Sequence, residues 1–156
     1  MASLMENLID VLDRESTEYE ALLQLSQRKT PIIAGGDLAE LQKITDEEQE
    51  LVSRIHNLDK QRAGVTADIA DVLNRDVNDL KLPNLITMLS ARPAEQQALA
   101  DSHDRLQAAV RGLKRVNEQN SELLNSALEM VEFEMNLLQA LADSHDRLQA
   151  AVRGLK

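Results

Sequence analysis

Residues 93–139 read PAEQQALADSHDRLQAAVRGLKRVNEQNSELLNSALEMVEFEMNLLQ. Within them Leu99, His103, Leu106, Val110, Leu113, Asn117, Asn120, Leu124, Ala127, Val131, Met135 and Leu138 follow one another at steps of three or four. That period keeps one side of a helix facing a partner for about six heptads. Arg92-Pro93-Ala94-Glu95 starts the helix, and proline is well tolerated in a first turn. Gly112 lies inside it at a cost of about 1 kcal/mol relative to alanine, which the unbroken period outweighs. At about 1.5 Å per residue such a helix is about 70 Å long. A compact globule of 156 residues has no use for it. The expected fold is all-α, an elongated antiparallel helical hairpin or three-helix coiled bundle with one very long C-terminal helix.

The rest of the chain supplies the partners. Leu4, Leu8, Val11, Leu12, Tyr19, Leu22 and Leu23 mark an amphipathic first helix over roughly 3–29, with Glu15 breaking the row. Thr30-Pro31 is expected to end or kink it, because proline lacks an amide hydrogen and crowds the carbonyl of Gln27. Gly35-Gly36 suits a helix stop, and Asp37 with Glu40 suits the capped start of the next. Leu41, Ile44, Glu48, Leu51, Ile55, Leu58 and Arg62 then step at heptad spacing, polar at two positions, giving a helix over 38–62. Gly64 reads as a break or bend, and 66–73 could form a further short helix. Residues 74–93 carry turn formers and read as the connection, with a short helix begun by Pro83.

Composition narrows the function. There is no cysteine, hence no disulfide, thiol nucleophile or cysteine-type zinc site. Tyr19 and Phe133 are the only aromatic residues, and the formal net charge is -10. Such a chain is a poor partner for nucleic acid. Residues 1–6 have neither the basic start nor the apolar core of a signal peptide, and no apolar run approaches bilayer-spanning length. A cytoplasmic protein without membrane insertion is expected. His56 follows Ser53, and His103 follows Ala100, at the spacing where a di-iron bundle places glutamate. No glycine pattern cradles phosphate, and the carboxylates of 46–50 read as a solvated face. No enzyme activity, metal or cofactor is expected.

Residues 98–114 and 140–156 are both ALADSHDRLQAAVRGLK. The second block reads either as a recent duplication that lengthens the last helix or as an error that wrote the wrong residues into the C-terminus. The error is the preferred reading, leaving 1–139 as a single helical domain.

Three features of the last helix suggest binding. Arg105, Arg111, Lys114 and Arg115 form a basic stretch that could face the acidic run near Glu48 if the two long helices are antiparallel. Asn117 and Asn120 occupy successive seam positions, where asparagine either sets register or hydrogen-bonds a partner's backbone. Leu124, Ala127, Val131, Met135 and Leu138 form one seam, which leaves Leu123, Met130, Phe133 and Leu137 as a second stripe. Leu128 adds further apolar surface. Either the first two helices cover one stripe each, or the second stripe receives an amphipathic helix from another protein.

These segments resemble the FlgN family of flagellar export chaperones. The resemblance runs through Glu6-Asn7-Leu8-Ile9-Asp10-Val11-Leu12, Glu18-Tyr19-Glu20-Ala21-Leu22-Leu23, Gly35-Gly36-Asp37-Leu38 and Ile44-Thr45-Asp46-Glu47-Glu48-Gln49-Glu50-Leu51. It continues through Asn117-Glu118-Gln119-Asn120-Ser121-Glu122-Leu123-Leu124, Ala127-Leu128-Glu129-Met130-Val131-Glu132-Phe133 and Met135-Asn136-Leu137-Leu138. It implies a cytosolic chaperone of type III export. Such a chaperone binds the terminal helices of hook-associated (hook-filament junction) proteins and delivers them unpolymerised to the flagellar export apparatus. In the family the C-terminal helix carries substrate recognition, which falls here on residues 117–138. The competing reading is a self-associating structural coiled coil, a homo-oligomer without a client.

Overall fold

The computed structural model describes residues 2–154, and the last two residues of the repeated block lie outside them. Four helices follow in order: α1 (Ala2–Gly35), α2 (Leu38–Leu73), α3 (Leu82–Met88) and α4 (Pro93–Gly154), with a 3-10 turn at Val77–Asp79 before α3. The expected all-helical bundle with a very long last helix is what forms, in its three-helix version.

Cross-helix pairs give the directions. Along α1, Glu15, Glu18 and Lys29 meet Arg62, Arg54 and Glu48 of α2 in reverse order, at 3.1, 3.1 and 3.2 Å. Asp13, Glu20 and Ser26 of α1 meet Ser102, Arg105 and Asn120 of α4 in the same order, at 2.8, 2.7 and 2.8 Å. α1 therefore runs antiparallel to α2 and parallel to α4, and it touches both.

Neither Pro31 nor Gly64 ends its helix. α1 continues through Pro31 to Gly35. Pro31 and Gln27 are both exposed, so water can satisfy the carbonyl freed by the missing amide. Ile33 is buried beyond it and Thr30 Oγ1 bonds Asn120 Oδ1 at 2.6 Å, which anchors the last turn. α2 likewise runs through Gly64, because Leu58 and Ile69 hold the helix to the core on either side. The stop at Gly36 is as expected. Its φ is +68°, left-handed backbone that glycine adopts without penalty. Asp37 Oδ1 then accepts the Glu40 amide at 3.1 Å and caps α2. At the other end Asn74 is left-handed (φ 53°), and its amide and that of Arg75 satisfy Asp71 and Ala70 carbonyls.

The connection does more than turn the chain. Leu80, Leu85 and Leu89 are buried with Met5, Leu8, Leu12, Ile69 and Leu99, closing the lower end of the bundle. A second apolar cluster, from Leu22, Leu25, Ile44, Leu51, Ile55 and Leu113, lies higher. Between Leu12 and Leu22 of α1 sit Glu15 and Ser16, both fully buried. Glu15 is what interrupts the apolar row, and it lies 3.1 Å from Arg62, the polar seam residue of α2. Glu48, the other polar seam residue, is paired with Lys29. The two polar heptad positions of α2 are thus matched by opposite charges on α1.

The seam of α4 is rotated from the expected one. Leu99, Leu106, Leu113 and Asn120 are buried, but their companions are Ser102 and Ala109. His103 is half-buried, and Val110 and Asn117 are exposed. Small residues are preferred on this line because α1 approaches closely. A Cβ on Gly112 would stand 3.1 Å from Leu23 Cδ2.

Candidate functional site: the free end of the last helix

α1 turns away at Gly36, and the last buried residue of α4 is Asn120. Leu123 and Leu124 are half-buried, and every later described residue of α4 is exposed. Roughly 30 residues of helix, about 45 Å, extend past the bundle. A helix holding its period so far outside a core is held by backbone hydrogen bonds and local propensity alone. It carries good helix formers throughout, Leu, Met, Glu, Gln and Ala.

On this free end Leu128, Met130, Val131, Phe133, Met135, Leu137 and Leu138 are each between 50% and 63% exposed, and Ala127 is exposed with them. Neither α1 nor α2 covers a stripe. Exposed apolar surface of this kind makes the free end the candidate site. Leu141, Leu148 and Val152 of the second repeated block prolong it, at 58%, 63% and 51% exposure. They lie beyond the expected site, which ends at Leu138.

The two asparagines part company. Asn120 is buried, its Nδ2 donating to the Ser26 carbonyl at 2.8 Å and its Oδ1 accepting from Thr30. Its amide sets the register of α4 on α1, and its burial between the two helices keeps it from a partner's backbone. Asn117 is exposed and lies outside the buried seam.

Charge is distributed unevenly. Between Arg115 and Arg147 there is no lysine or arginine, while Glu118 and Glu122 precede the apolar stretch and Glu129, Glu132 and Glu134 fall within it. The basic stretch lower on α4 does not meet the acidic run of α2. Arg105 instead forks onto Glu20 of α1, Nε to Oε1 at 2.7 Å and Nη2 to Oε2 at 3.1 Å. Those bonds hold the Glu20 carboxyl below its usual range.

The repeated block shows one sequence in two environments. Leu99 and Leu106 of the first copy are core residues, and their equivalents Leu141 and Leu148 are exposed. The sequence model of the FlgN family, described as FlgN protein, matches residues 1–147 and so covers both the bundle and the free end. The chain belongs to the FlgN family. FlgN proteins are flagellar export chaperones, not known as enzymes. A curated relative is 28% identical over 133 residues, 84% of this chain and 78% of that protein: the uncharacterized protein YvyG of Bacillus subtilis (strain 168). No solved structure matches.

His56 is exposed, and half-buried His103 pairs with its neighbour Asp104 at 3.2 Å. A groove of about 500 Å³ between α2, the 77–83 turn and α4 has Asp59, Arg62, Leu82 and His103 in its walls. No group of three or more potential metal ligands occurs among the described residues. No helix among them is long and apolar enough to cross a membrane.

Proposed function

We propose that this chaperone works in the cytosol on hook-associated proteins. It holds their terminal helices on residues 123–138 of α4 and hands them unpolymerised to the export apparatus. The observation that carries this is the apolar surface of that segment, left bare by a bundle that ends at Asn120. A junction protein's terminal helix is apolar on the side that packs in the assembled filament. Laying that side on α4 removes two unsatisfied surfaces from water at once, at about 25 cal/mol per Å² of apolar area. Much of the gain is offset by the cost of association. The resulting affinity is modest enough for release at a competing docking surface. Methionine at 130 and 135 suits a surface that accepts more than one client, because its side chain adapts its shape.

The test is capture of a hook-associated protein by the chain carrying Met130→Glu and Phe133→Glu together. Both positions are exposed, so the bundle stays folded while binding is lost. Undiminished capture would refute the site. A free protein that sediments as a stable oligomer, and does not exchange when junction protein is added, would favour a structural coiled coil. Residues 1–139 are the proposed chaperone domain, and mass spectrometry of the C-terminal peptide tests the repeated block beyond it.

A further inference from the structure

The free end of α4 differs from its bundled part in the number of apolar lines it carries. Below Asn120 the line Ser102–Ala109 faces α1, and the neighbouring line is His103, Val110 and Asn117, largely polar and open. Continued upward at the same seven-residue spacing, the first line becomes Leu123, Met130 and Leu137, and the second becomes Leu124, Val131 and Leu138. The two lines are about 100° apart on the helix. Phe133 widens the first on its outer side, and Leu128 and Met135 widen the second. The apolar arc thus grows to about half the circumference at the point where the chain's own helices stop. One docked helix buries one line and leaves the other in water.

We infer, building on the client-binding reading above, that the occupant is a pair of amphipathic helices with basic flanks, straddling α4 as the two helices of a hairpin would. Ala127 and Glu134 lie between the two lines. Ala127 is small enough to let two helices meet over it. Glu134 is the one carboxylate of the stretch that looks into the gap, so a lysine, arginine or amide of the client must face it. The remaining carboxylates border or back the arc, with no positive side chain from Val116 to Asp146. Charge complementarity therefore selects a client whose flanking residues are lysine and arginine.

Binding of a hook-associated protein's terminal helical region tests this, using the intact region and a peptide of its last helix alone. Met130→Ser cuts one line and Val131→Ser the other, both on exposed positions. The intact region is expected to bind about tenfold more weakly to each variant, and the single helix to respond to only one of them. Glu134→Gln and raised ionic strength are each expected to weaken the intact region further. If the intact region ignores one line, a single helix suffices and the paired occupant is wrong. If a line variant instead changes the mass of the free protein, that line is covered by a second copy and the inference falls. Insensitivity to both Glu134→Gln and salt overturns the basic flanks. Failure of the unaltered chain to bind either form sinks this inference and the client assignment together.

Discussion

Asn120 of α4 donates its side-chain amide to the Ser26 carbonyl of α1 at 2.8 Å, one turn below the point where α4 leaves the bundle. It is the last buried residue of α4, and its other amide atom is taken up by Thr30. A polar side chain so placed holds α4 in one register on α1 and so sets which residues emerge as the free end.

Asn120→Ala removes two hydrogen bonds between α4 and α1, while the Thr30 hydroxyl can still donate to the Ser26 carbonyl at 3.3 Å. The expected loss of stability is about 1–3 kcal/mol. Urea unfolding followed by circular dichroism measures it. Capture of a client is expected to survive in the folded protein, since Asn120 makes no contact outside the bundle.

Glu15 makes stability depend on pH. Burial raises its carboxyl to about 7, against the pull of Arg62 and with Asp59 adding to the rise. In the unfolded chain it titrates near 4.5. Below that value both states hold the proton and Glu15 costs nothing. As the pH rises from 4.5 to 7 the unfolded chain releases its proton first, and the folded state loses on the order of 3 kcal/mol. Glu15→Gln is expected to flatten that slope and to raise stability at neutral pH. Denaturant midpoints at pH 5 and 8 for both proteins provide the check, and an unchanged slope would refute the assignment.

Two helix-interior glycines should answer differently to alanine. Nothing approaches a Cβ at Gly64, so Gly64→Ala is expected to stabilise by about 0.5–1 kcal/mol. At Gly112 the new methyl meets Leu23 at 3.1 Å, and the gain is reduced or reversed as Leu23 moves. Thermal unfolding of the two variants should rank Gly64→Ala above Gly112→Ala.

The repeated block offers an internal control. Leu106→Ala removes a core side chain and is expected to cost about 2–5 kcal/mol. Leu148→Ala, the same change in the same seventeen-residue sequence, is expected to stay within about 0.5 kcal/mol, since Leu148 is 63% exposed. Equal losses would mean that the second copy is covered in solution.

Much of this was legible in the residues. The long period of α4, the stop at Gly36, the cap at Asp37 and the short helix at Pro83 all follow from local rules that need no neighbour. What local rules could not decide depended on neighbours. Pro31 and Gly64 pointed to breaks or bends, but Ile33 and Ile69 are held in the core beyond them, and packing outweighs a local penalty of a few kcal/mol. Steps of three or four along α4 are met equally by His103 with Val110 and by Ser102 with Ala109. Close approach of α1 decides in favour of Ser102, Ala109 and Gly112. Arg105 bonds Glu20 of α1 and not the acidic run of α2, a choice between two partners that sequence spacing leaves open.

Helical class and the apolar excess on residues 123–138 are properties of side-chain order along one chain, and period and composition reveal them directly. Whether that excess faces the chain's own helices or water is a different kind of fact. It depends on where α1 ends relative to α4, and hence on the parallel register in which Ser26 meets Asn120. Register arises from many weak contacts between residues about 90 positions apart, and only their simultaneous satisfaction in three dimensions selects it.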